Sequence, residues 1–316
     1  MKSKFVIVNL KRRIDRKENL KSILNARKIE EYEFFEAVDG KMLKGDQFIY
    51  NLFLGNDFNW RRGVIGCALS HHNIWKMLSK SDYDYFCILE DDINLSQKFK
   101  KSYLDCQNFI NNNQVDILLL GYTMFSKNRE ANKDIYDCPD NDISFHHYRS
   151  DLYIGGFFGY IITKSGANKM LKYIQENGIK HGIDYLIKIN KDLIIYESHP
   201  LIIFSDWVES LKSKVDSDIQ KDFNILTFDT SEMYKIVTLN GNKYKFYQGL
   251  DSFGNDIRRV NSKKLDEIVE EAEKDSLCIA FNSLGFLKSV VDKIDKSPYI
   301  HSINHGLFIK LSERAC

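Results

Sequence analysis

The chain has 316 residues, with 45 Lys and Arg against 44 Asp and Glu and a net charge of +1. This balance gives no electrostatic footprint for nucleic acid or for an anionic membrane surface. The longest apolar runs fall well short of the roughly 18 residues of a membrane span, and the N-terminal run is too short for a signal peptide. We therefore expect a soluble, cytoplasmic protein, and the spacing of its six cysteines predicts no zinc site.

Hydrophobic periodicity predicts strands that alternate with helices along the first 210 residues. Strands are predicted at 4–10, 32–40, 83–92 and 115–122, and helices at 15–29, 63–80 and 100–113. Residues 155–178 are predicted to form a strand followed by a helix, and residues 191–204 a strand pair or a strand and a loop. The alternation predicts an α/β fold with a mainly parallel sheet flanked by helices. Ligands of such sheets bind at the carboxyl ends of the strands, which places Asn9, residues 90–92 and Gly121 on one rim.

The pattern of apolar and polar residues changes after about residue 210. A polar stretch at 209–222 predicts a linker or a peripheral helix, and the Asn240-Gly241 pair that follows is a hairpin signal. Residues 262–275 form an amphipathic helical pattern, and 299–311 have strand character. We therefore predict two domains, a larger one at 1–232 and a small accessory α/β module of unknown role at 233–316.

The module has one cluster with two interpretations. Tyr247, Asp251, Asn255 and Asp256 could form a glycan-binding patch with an aromatic platform. They could equally belong to a turn-rich scaffold in which Asp and Asn serve backbone hydrogen bonds. The second interpretation is favoured.

Three consecutive carboxylates, Glu90, Asp91 and Asp92, follow directly on an apolar strand. Clustered carboxylates are costly unless they are solvated, protonated or bound to a cation. Hard oxygen ligands suit Mn²⁺ or Mg²⁺, and such ions also bind substrate phosphates. The alternative is a solvated acidic turn, but the buried strand in front favours a metal site.

Other polar residues offer weaker signals, each with a plain structural alternative. Arg12 and Arg16 follow a strand end, where guanidinium groups favour phosphate, unless they form the basic face of the first helix. Ser70 and His71 follow two glycines that would let a ligand approach a helix start, although a histidine here is more often structural. Asp184 could be a general base or a helix N-cap.

His199 precedes Pro200, so its backbone is extended. An imidazole at this position could ligate a metal, or it could belong to an ordinary loop.

Five blocks follow one another within residues 4–210, namely "VNLKRRIDR", "GCALSHHNIW", "ILEDD", "GGFFGYIIT" with the following "GANKML", and "HPLI". Taken in this order, they resemble glycosyltransferase family 25, which contains lipooligosaccharide galactosyltransferases and procollagen hydroxylysine galactosyltransferases. The resemblance implies a GT-A-like, Rossmann-like sheet, a nucleotide-sugar donor and a DxD-like metal motif.

The resemblance also suggests a role for each candidate residue. Donor binding would fall to Asn9, Arg12, Arg16, Ser70, His71 and Glu90, metal binding to Glu90, Asp92 and His199, and catalysis to Asp184 as base with Asp91 directed at the sugar.

The predicted function is a metal-dependent transfer of glucose or galactose from a UDP-sugar to a hydroxyl acceptor. Hydroxylysine or galactosylhydroxylysine of a collagen-like protein is the favoured acceptor, because a chain rich in Lys, Asn and Ile is typical of AT-rich genomes such as those of giant viruses. The protein would then act in the host cytoplasm. The alternatives are a lipooligosaccharide or other surface-glycan galactosyltransferase, and a non-catalytic glycan-binding protein. No oligomeric state is predicted.

Overall fold

The computed structural model describes residues 1–125, 143–148, 153–205, 219, 224–297 and 305–311. The chain forms two compact units. The first unit comprises Met1–Leu43 and Phe58–Ile225, and the second comprises Lys44–Asp57 and Leu226–Cys316. The predicted boundary after residue 232 therefore falls inside the second unit, and residues 44–57, predicted to lie in the first domain, belong to the second.

Residues 44–57 join the second unit through a buried tyrosine. Tyr50 is fully buried, and its hydroxyl donates to the carbonyl oxygen of Gly249 at 3.0 Å. Its ring meets the ring of Phe228 edge-on, with 5.3 Å between the centroids. These contacts span almost 200 positions, so no local pattern in 44–57 indicates them.

The described residues form seven helices, of which α2 and α7 belong to the second unit. The helices are α1 (Ile14–Ala26), α2 (Gln47–Leu52), α3 (Arg62–Lys80), α4 (Phe99–Asn112), α5 (Lys164–Asn177), α6 (Ile183–Ile189) and α7 (Leu265–Lys274). The described strands of the first unit are β1 (Ser3–Asn9), β2 (Tyr32–Glu36), β3 (Tyr85–Glu90), β4 (Ile93–Leu95), β5 (Ile117–Phe125), β6 (Ser144–His147), β7 (Tyr153–Thr163), β8 (Ile195–His199) and β9 (Ile203–Ser205). Those of the second are β10 (Lys235–Leu239), β11 (Asn242–Gln248), β12 (Leu250–Ser252), β13 (Asp256–Arg259), β14 (Ala280–Asn282), β15 (Phe286–Lys288), β16 (Ile294–Lys296) and β17 (Gly306–Lys310).

The main sheet of the first unit contains seven described strands in the order β2-β1-β3-β7-β5-β8-β6. β1 runs parallel to β2 and β3, and β5 runs parallel to β8. β7 lies antiparallel between β3 and β5, and β6 lies antiparallel to β8 at the edge. Five strands therefore point the same way, which confirms the predicted α/β class. The short strands β4 and β6 were not predicted.

The alternation of side chains along β3 decides which residues face which helix. Cys87 and Leu89 share a core cluster with residues of α1 and α4. Successive residues of a strand point to opposite faces, so Ile88 and Glu90 point the other way. Tyr160 of β7 pairs with Ile88 in register and therefore shares its face. Glu90 and Tyr160 thus lie on the side opposite α1 and α4.

The second unit is built on an antiparallel sheet in the order β10-β11-β17-β14-β15-β13. The predicted hairpin is confirmed: β10 and β11 pair across Asn240 and Gly241, whose φ angles of +46° and +80° suit a two-residue turn. α7 confirms the predicted amphipathic helix and packs on one face of the sheet. That core contains Tyr244, Phe246, Ile268, Val269, Ala272, Phe281, Leu287 and Phe308.

The residues proposed above as a glycan patch in the module do not form an exposed platform. Tyr247 and Asp251 are 4% and 5% exposed. The Tyr247 hydroxyl donates to the carbonyl oxygen of Ser231, and Asn255 Nδ2 donates to Asp292 Oδ2 at 2.8 Å. These contacts favour the scaffold interpretation.

The polar stretch predicted as a linker at 209–222 lies outside the described residues, apart from residue 219. Within the described ranges, no helix has both the length and the apolar character needed to cross a membrane.

Candidate active site

The site begins where β1 and β3 end side by side. In their parallel register Val8 lies next to Glu90, so Asn9 and Asp91 follow as neighbours. Asn9 Nδ2 donates to Asp91 Oδ2 at 2.7 Å, and both residues are buried. The carboxyl ends of these two strands therefore form the predicted polar rim.

Asp91 is a carboxylate whose two oxygens both accept hydrogen bonds from protein donors. Oδ2 accepts from Asn9, and Oδ1 accepts from Arg16 Nη1 at 2.9 Å. Its side chain is only 8% exposed, and charge-assisted bonds of this kind are shorter and stronger than neutral ones. Asp91 thus holds Asn9 and Arg16 in place, and the catalytic role predicted for it stays a prediction.

Glu90 has no such partners. None of the described residues donates a hydrogen bond to it, and His71 Nε2 lies 3.9 Å from its Oε1. Burial, aided by the charges of Asp91 and Asp184, raises the pKa of Glu90 to about 8. An ionised Glu90 is therefore costly unless a cation joins it.

Asp92 is the more open member of the triplet. Its Oδ2 lies 2.9 Å from Arg16 Nη1, the same nitrogen that donates to Asp91. Burial and the charge of Glu90 raise the pKa of Asp92 against the opposing effect of Arg16. One guanidinium thus serves two carboxylates, while Glu90 remains uncompensated.

Cationic side chains line the same pocket as the triplet. Arg12 Nε donates to Asp39 Oδ2 at 2.7 Å, and Asp39 Oδ1 accepts the Lys41 backbone N–H at 3.0 Å. Arg12, Arg16 and Lys41 all line the pocket. The structure therefore brings Arg12 and Arg16 to the triplet, in an arrangement that suits phosphate oxygens. Their role in nucleotide binding stays a prediction.

The first turns of α3 pack against the loop after β2 with no room for extra side-chain atoms. A Cβ on Gly66 would lie 2.6 Å from the Val38 carbonyl oxygen, and one on Gly40 would lie 2.2 Å from that of Arg62. Ser70 Oγ accepts the Val38 N–H at 2.9 Å and donates to the Gly66 carbonyl oxygen at 2.7 Å. Ser70 lines the pocket, but its hydroxyl already serves two backbone groups. Its predicted contact with the donor stays a prediction.

Cys67, His71 and Trp75 follow one another at intervals of four on α3, so they share one face of the helix. His71 is fully buried, and burial lowers its pKa to about 4, so its imidazole is neutral at pH 7. His71 Nδ1 lies 2.8 Å from the Tyr160 hydroxyl, and Trp75 Nε1 donates to the same hydroxyl at 3.0 Å. His71 is therefore a buried neutral ring beside Glu90, and donor binding by it stays a prediction.

Asp184 lies in the first turn of α6. Its Oδ2 accepts the Gly156 N–H at 3.1 Å, and its Oδ1 accepts the Tyr185 N–H at 3.0 Å. Burial raises its pKa, although these two N–H groups act against the rise. The N-cap of α6 is Gly182, so the N-cap alternative for Asp184 is wrong. Its charge acts on Glu90, which places both carboxylates in one electrostatic environment.

The structure does not bring His199 to the triplet. His199 ends β8, and β7 and β5 separate that strand from β3 in the sheet. Its side chain is exposed, its carbonyl oxygen accepts from Ser144 Oγ, and its ring centroid lies 6.0 Å from that of His146. A role for His199 as third metal ligand stays a prediction without support from its position.

A family model decides the classification. The model of glycosyltransferase family 25 (LPS biosynthesis protein) matches residues 1–187, more than half of the chain. The chain belongs to glycosyltransferase family 25. The matched segment contains the rim, the triplet and Asp184, and it ends before His199.

Two relatives and one solved structure give this glycosyltransferase its context. The putative glycosyltransferase R655 of Acanthamoeba polyphaga mimivirus is 35% identical over 290 residues, 90% of this chain and 86% of that protein. Human procollagen galactosyltransferase 2 is 25% identical over 224 residues, which cover 67% of this chain but only 33% of the human protein. A Drosophila galactosyltransferase 7 complex aligns with a TM-score of 0.31 at 12% identity, over 78% of this chain and 88% of that one.

The side chains at the end of β3 offer ligand atoms that suit a divalent cation. Glu90, which has no hydrogen-bond donor among the described residues, and Asp92 offer the carboxylate oxygens that Mn²⁺ and Mg²⁺ prefer. Cys67, His71 and Glu90 also bring one possible ligand atom each to within 4.8 Å of one another. This set includes sulfur and nitrogen, which are softer ligands than carboxylate oxygen. The residues present therefore fit the metal that the family resemblance implies.

Sequence reasoning named His71 but missed Cys67, Trp75 and Tyr160. The spacing of four residues along α3 is a signal that could have found Cys67 and Trp75. Tyr160 reaches His71 from a strand 89 positions away, and that contact depends on β7 lying antiparallel beside β3. No local pattern shows this arrangement.

Proposed function

We propose that this glycosyltransferase transfers galactose or glucose from a UDP-sugar to a hydroxyl group of a collagen-like protein, on hydroxylysine or galactosylhydroxylysine. The observation that carries the donor half is the uncompensated Glu90 beside Asp92, in a pocket also lined by Arg12 and Arg16. The acceptor half rests on the likeness to a procollagen galactosyltransferase. Lipopolysaccharide-type glycans are the second acceptor class, because the matching family is described as an LPS biosynthesis protein.

The donor end of the site combines carboxylates with guanidinium groups. Glu90 and Asp92 would hold Mn²⁺ or Mg²⁺, which when bound stabilises the negative charge that develops on the departing UDP. Arg12 and Arg16 donate hydrogen bonds to the oxygens of the diphosphate. Asn9 contributes by holding Asp91, which in turn fixes Arg16.

The acceptor end centres on Asp184. Two backbone N–H groups orient its carboxylate, and burial raises its pKa, which makes it a stronger base than an exposed aspartate. Asp184 takes the proton from the acceptor hydroxyl as that oxygen attacks the sugar carbon. The carbon passes through an oxocarbenium-like state, so the base is needed only as the new bond forms.

The test is UDP release by the full chain with Mn²⁺ and either UDP-galactose or UDP-glucose. Collagen peptides that carry hydroxylysine are compared with matched peptides that carry lysine, and with a lipooligosaccharide. We expect hydroxylysine peptides to stimulate release and to gain the mass of one hexose. Stimulation by lipooligosaccharide alone would replace the acceptor proposal, and no release with any donor, metal and acceptor would favour the non-catalytic glycan-binding alternative.

Asp92→Ala tests the metal assignment. We expect release to fall by about 10²- to 10³-fold, as on removal of a group that stabilises transition-state charge, while the melting temperature stays close to that of the wild type. Glu176→Ala, which changes an exposed carboxylate on α5, is the control. Wild-type turnover in the Asp92 variant would contradict the assignment.

A further inference from the structure

The hydroxyl group of Tyr160 is the meeting point of two side chains from α3. Trp75 Nε1 donates to it at 3.0 Å, and His71 Nδ1 lies 2.8 Å from it. All three side chains are 0% exposed. Their few polar atoms must therefore satisfy one another, because a buried polar group without a hydrogen-bond partner destabilises the fold.

The number of protons that each group carries fixes the direction of each hydrogen bond. An indole N–H can only donate, so the Tyr160 oxygen accepts from Trp75. The phenol has one proton of its own, and among the described residues His71 Nδ1 is the acceptor within reach. Because Nδ1 accepts this bond and so carries no proton, the proton of the His71 ring lies on the other nitrogen, Nε2.

The Nε2–H group of His71 lies beside the carboxylate of Glu90. His71 Nε2 is buried without a hydrogen-bond partner among the described residues, and it lies 3.9 Å from Glu90 Oε1. Glu90 receives no hydrogen bond from the described residues either. A movement of about 1 Å by the Glu90 carboxylate would bring this pair to hydrogen-bond distance.

We infer that the Tyr160 hydroxyl fixes His71 as its Nε2–H tautomer, and that this N–H donates to the Glu90 carboxylate and orients it for a cation. His71 is then a positioning residue that acts through Glu90, and neither a metal ligand nor a contact of the nucleotide. Ligating carboxylates are commonly held by such outer hydrogen bonds, and loss of one costs about 10- to 100-fold in metal affinity. The effect on turnover rests on the proposed function, whereas the tautomer does not.

The tautomer is measured on the full, metal-free chain at pH 7 by long-range ¹H–¹⁵N NMR with labelled histidine. The chain has eight histidines, and the His71→Asn spectrum identifies the signal of His71 by its absence. We expect a single Nε2-protonated form in the wild type and a mixture of tautomers in Tyr160→Phe. Tyr85→Phe, which removes another buried hydroxyl of the same sheet, should leave the signal unchanged. An Nδ1-protonated wild-type ring, with Nε2 shifting when Zn²⁺ is added, would overturn the inference in favour of a metal ligand.

The second measurement is the Mn²⁺ concentration that gives half-maximal UDP release. We expect it to rise about tenfold in Tyr160→Phe and His71→Asn and to stay near the wild-type value in Tyr85→Phe. His71→Gln should restore much of the loss, because its amide N–H can lie near the position of Nε2. Equal losses in the Gln and Asn variants would overturn the positioning role. If no variant releases UDP, the proposed function fails, while the NMR result still decides the tautomer.

Discussion

Carboxylates with a raised pKa occur in both units, but their surroundings differ. In the second unit Asp251 accepts hydrogen bonds from Asn282 Nδ2 and the Ser252 N–H, and the buried ammonium of Lys288 lies 3.7 Å away. Lys288 also donates to Asp256 at 2.7 Å. At the end of β3, by contrast, Glu90 has no donor among the described residues.

The difference separates a carboxylate that has partners within the protein from one that lacks them among the described residues. Burial raises the pKa of Asp251, while Asn282 and Lys288 act against the rise, so this carboxylate has its own donor and its own cation. Burial and like charges act together on Glu90, and only Arg16 opposes them. Perturbed carboxylates concentrate at functional sites, which supports the proposal that a cation completes the surroundings of Glu90.

The strongest test removes the second unit. A chain that ends at the predicted boundary, residue 232, keeps 44–57 and Phe228 but loses Gly249 and the sheet of the second unit, to which the fully buried Tyr50 belongs. We expect this truncation to be insoluble. The same truncation with 44–57 replaced by a Gly/Ser segment of equal length should be soluble. Solubility of the simple truncation would show that 44–57 do not depend on the second unit.

Glu90→Gln removes the imbalance at the end of β3. We expect metal-dependent UDP release to fall by about 10²- to 10³-fold, because a ligand is lost. Since a raised acid pKa lowers stability as pH rises from the ordinary 4.5 to about 8, the metal-free variant should be more stable than the wild type at pH 8. Thermal melting at pH 5 and pH 8 measures this, and a variant less stable than the wild type at pH 8 would contradict it.

Lys288→Met creates an imbalance in the second unit. The change keeps the aliphatic stem but leaves Asp251 without its cation, and breaking a buried ion pair costs about 3–5 kcal/mol. Urea unfolding measures the loss, with UDP release by the folded protein expected to be unchanged. Lys293→Met is the control, because its pair with Asp295 is exposed and screened by solvent and should contribute little to the free energy of unfolding. Similar losses of unfolding free energy in the two variants would show that the buried ion pair stabilises the protein no more than the exposed one.

The smallest expected effect is a pH dependence of cation binding. Below pH 8 the metal-free Glu90 carries a proton that a cation must displace. The apparent affinity for Mn²⁺ should therefore rise between pH 6 and pH 8, by up to about tenfold per pH unit for one displaced proton. Calorimetric titration in buffers of different ionisation enthalpy measures the proton release. Affinity that does not change over this range would mean that Glu90 is already ionised.

Local sequence rules predicted the elements and the rim for a physical reason. Parallel strands bring their carboxyl ends together, so the closeness of Asn9 and Asp91 followed from two apolar runs that each end in polar residues. The α/β class followed in the same way from periodicity. The hairpin at Asn240 and Gly241 followed from residues that tolerate positive φ.

The remaining features depend on contacts between distant parts of the chain. Sequence could not show that Asp91 takes the donors while Glu90 has none, because that depends on the positions of α1 and the turn after β3. It could not show the reversed direction of β7, which supplies Tyr160 and the Gly156 N–H. Ligand assignments drawn from residue type alone, such as that of His199, have no such geometry behind them.

The shared nitrogen of Arg16 has a consequence for kinetics. Arg12 and Lys41 line the wider pocket, but at the end of β3 the guanidinium of Arg16 faces Asp91 and Asp92 even when Glu90 is protonated. A diphosphate that arrives alone is therefore not attracted to that end of the site. A divalent cation that arrives first, or together with the diphosphate, cancels this negative charge. On the proposed function, the fold therefore sets an order of binding in which free UDP-sugar is a poor first substrate. Initial-rate patterns with cation and donor varied together would show this order directly.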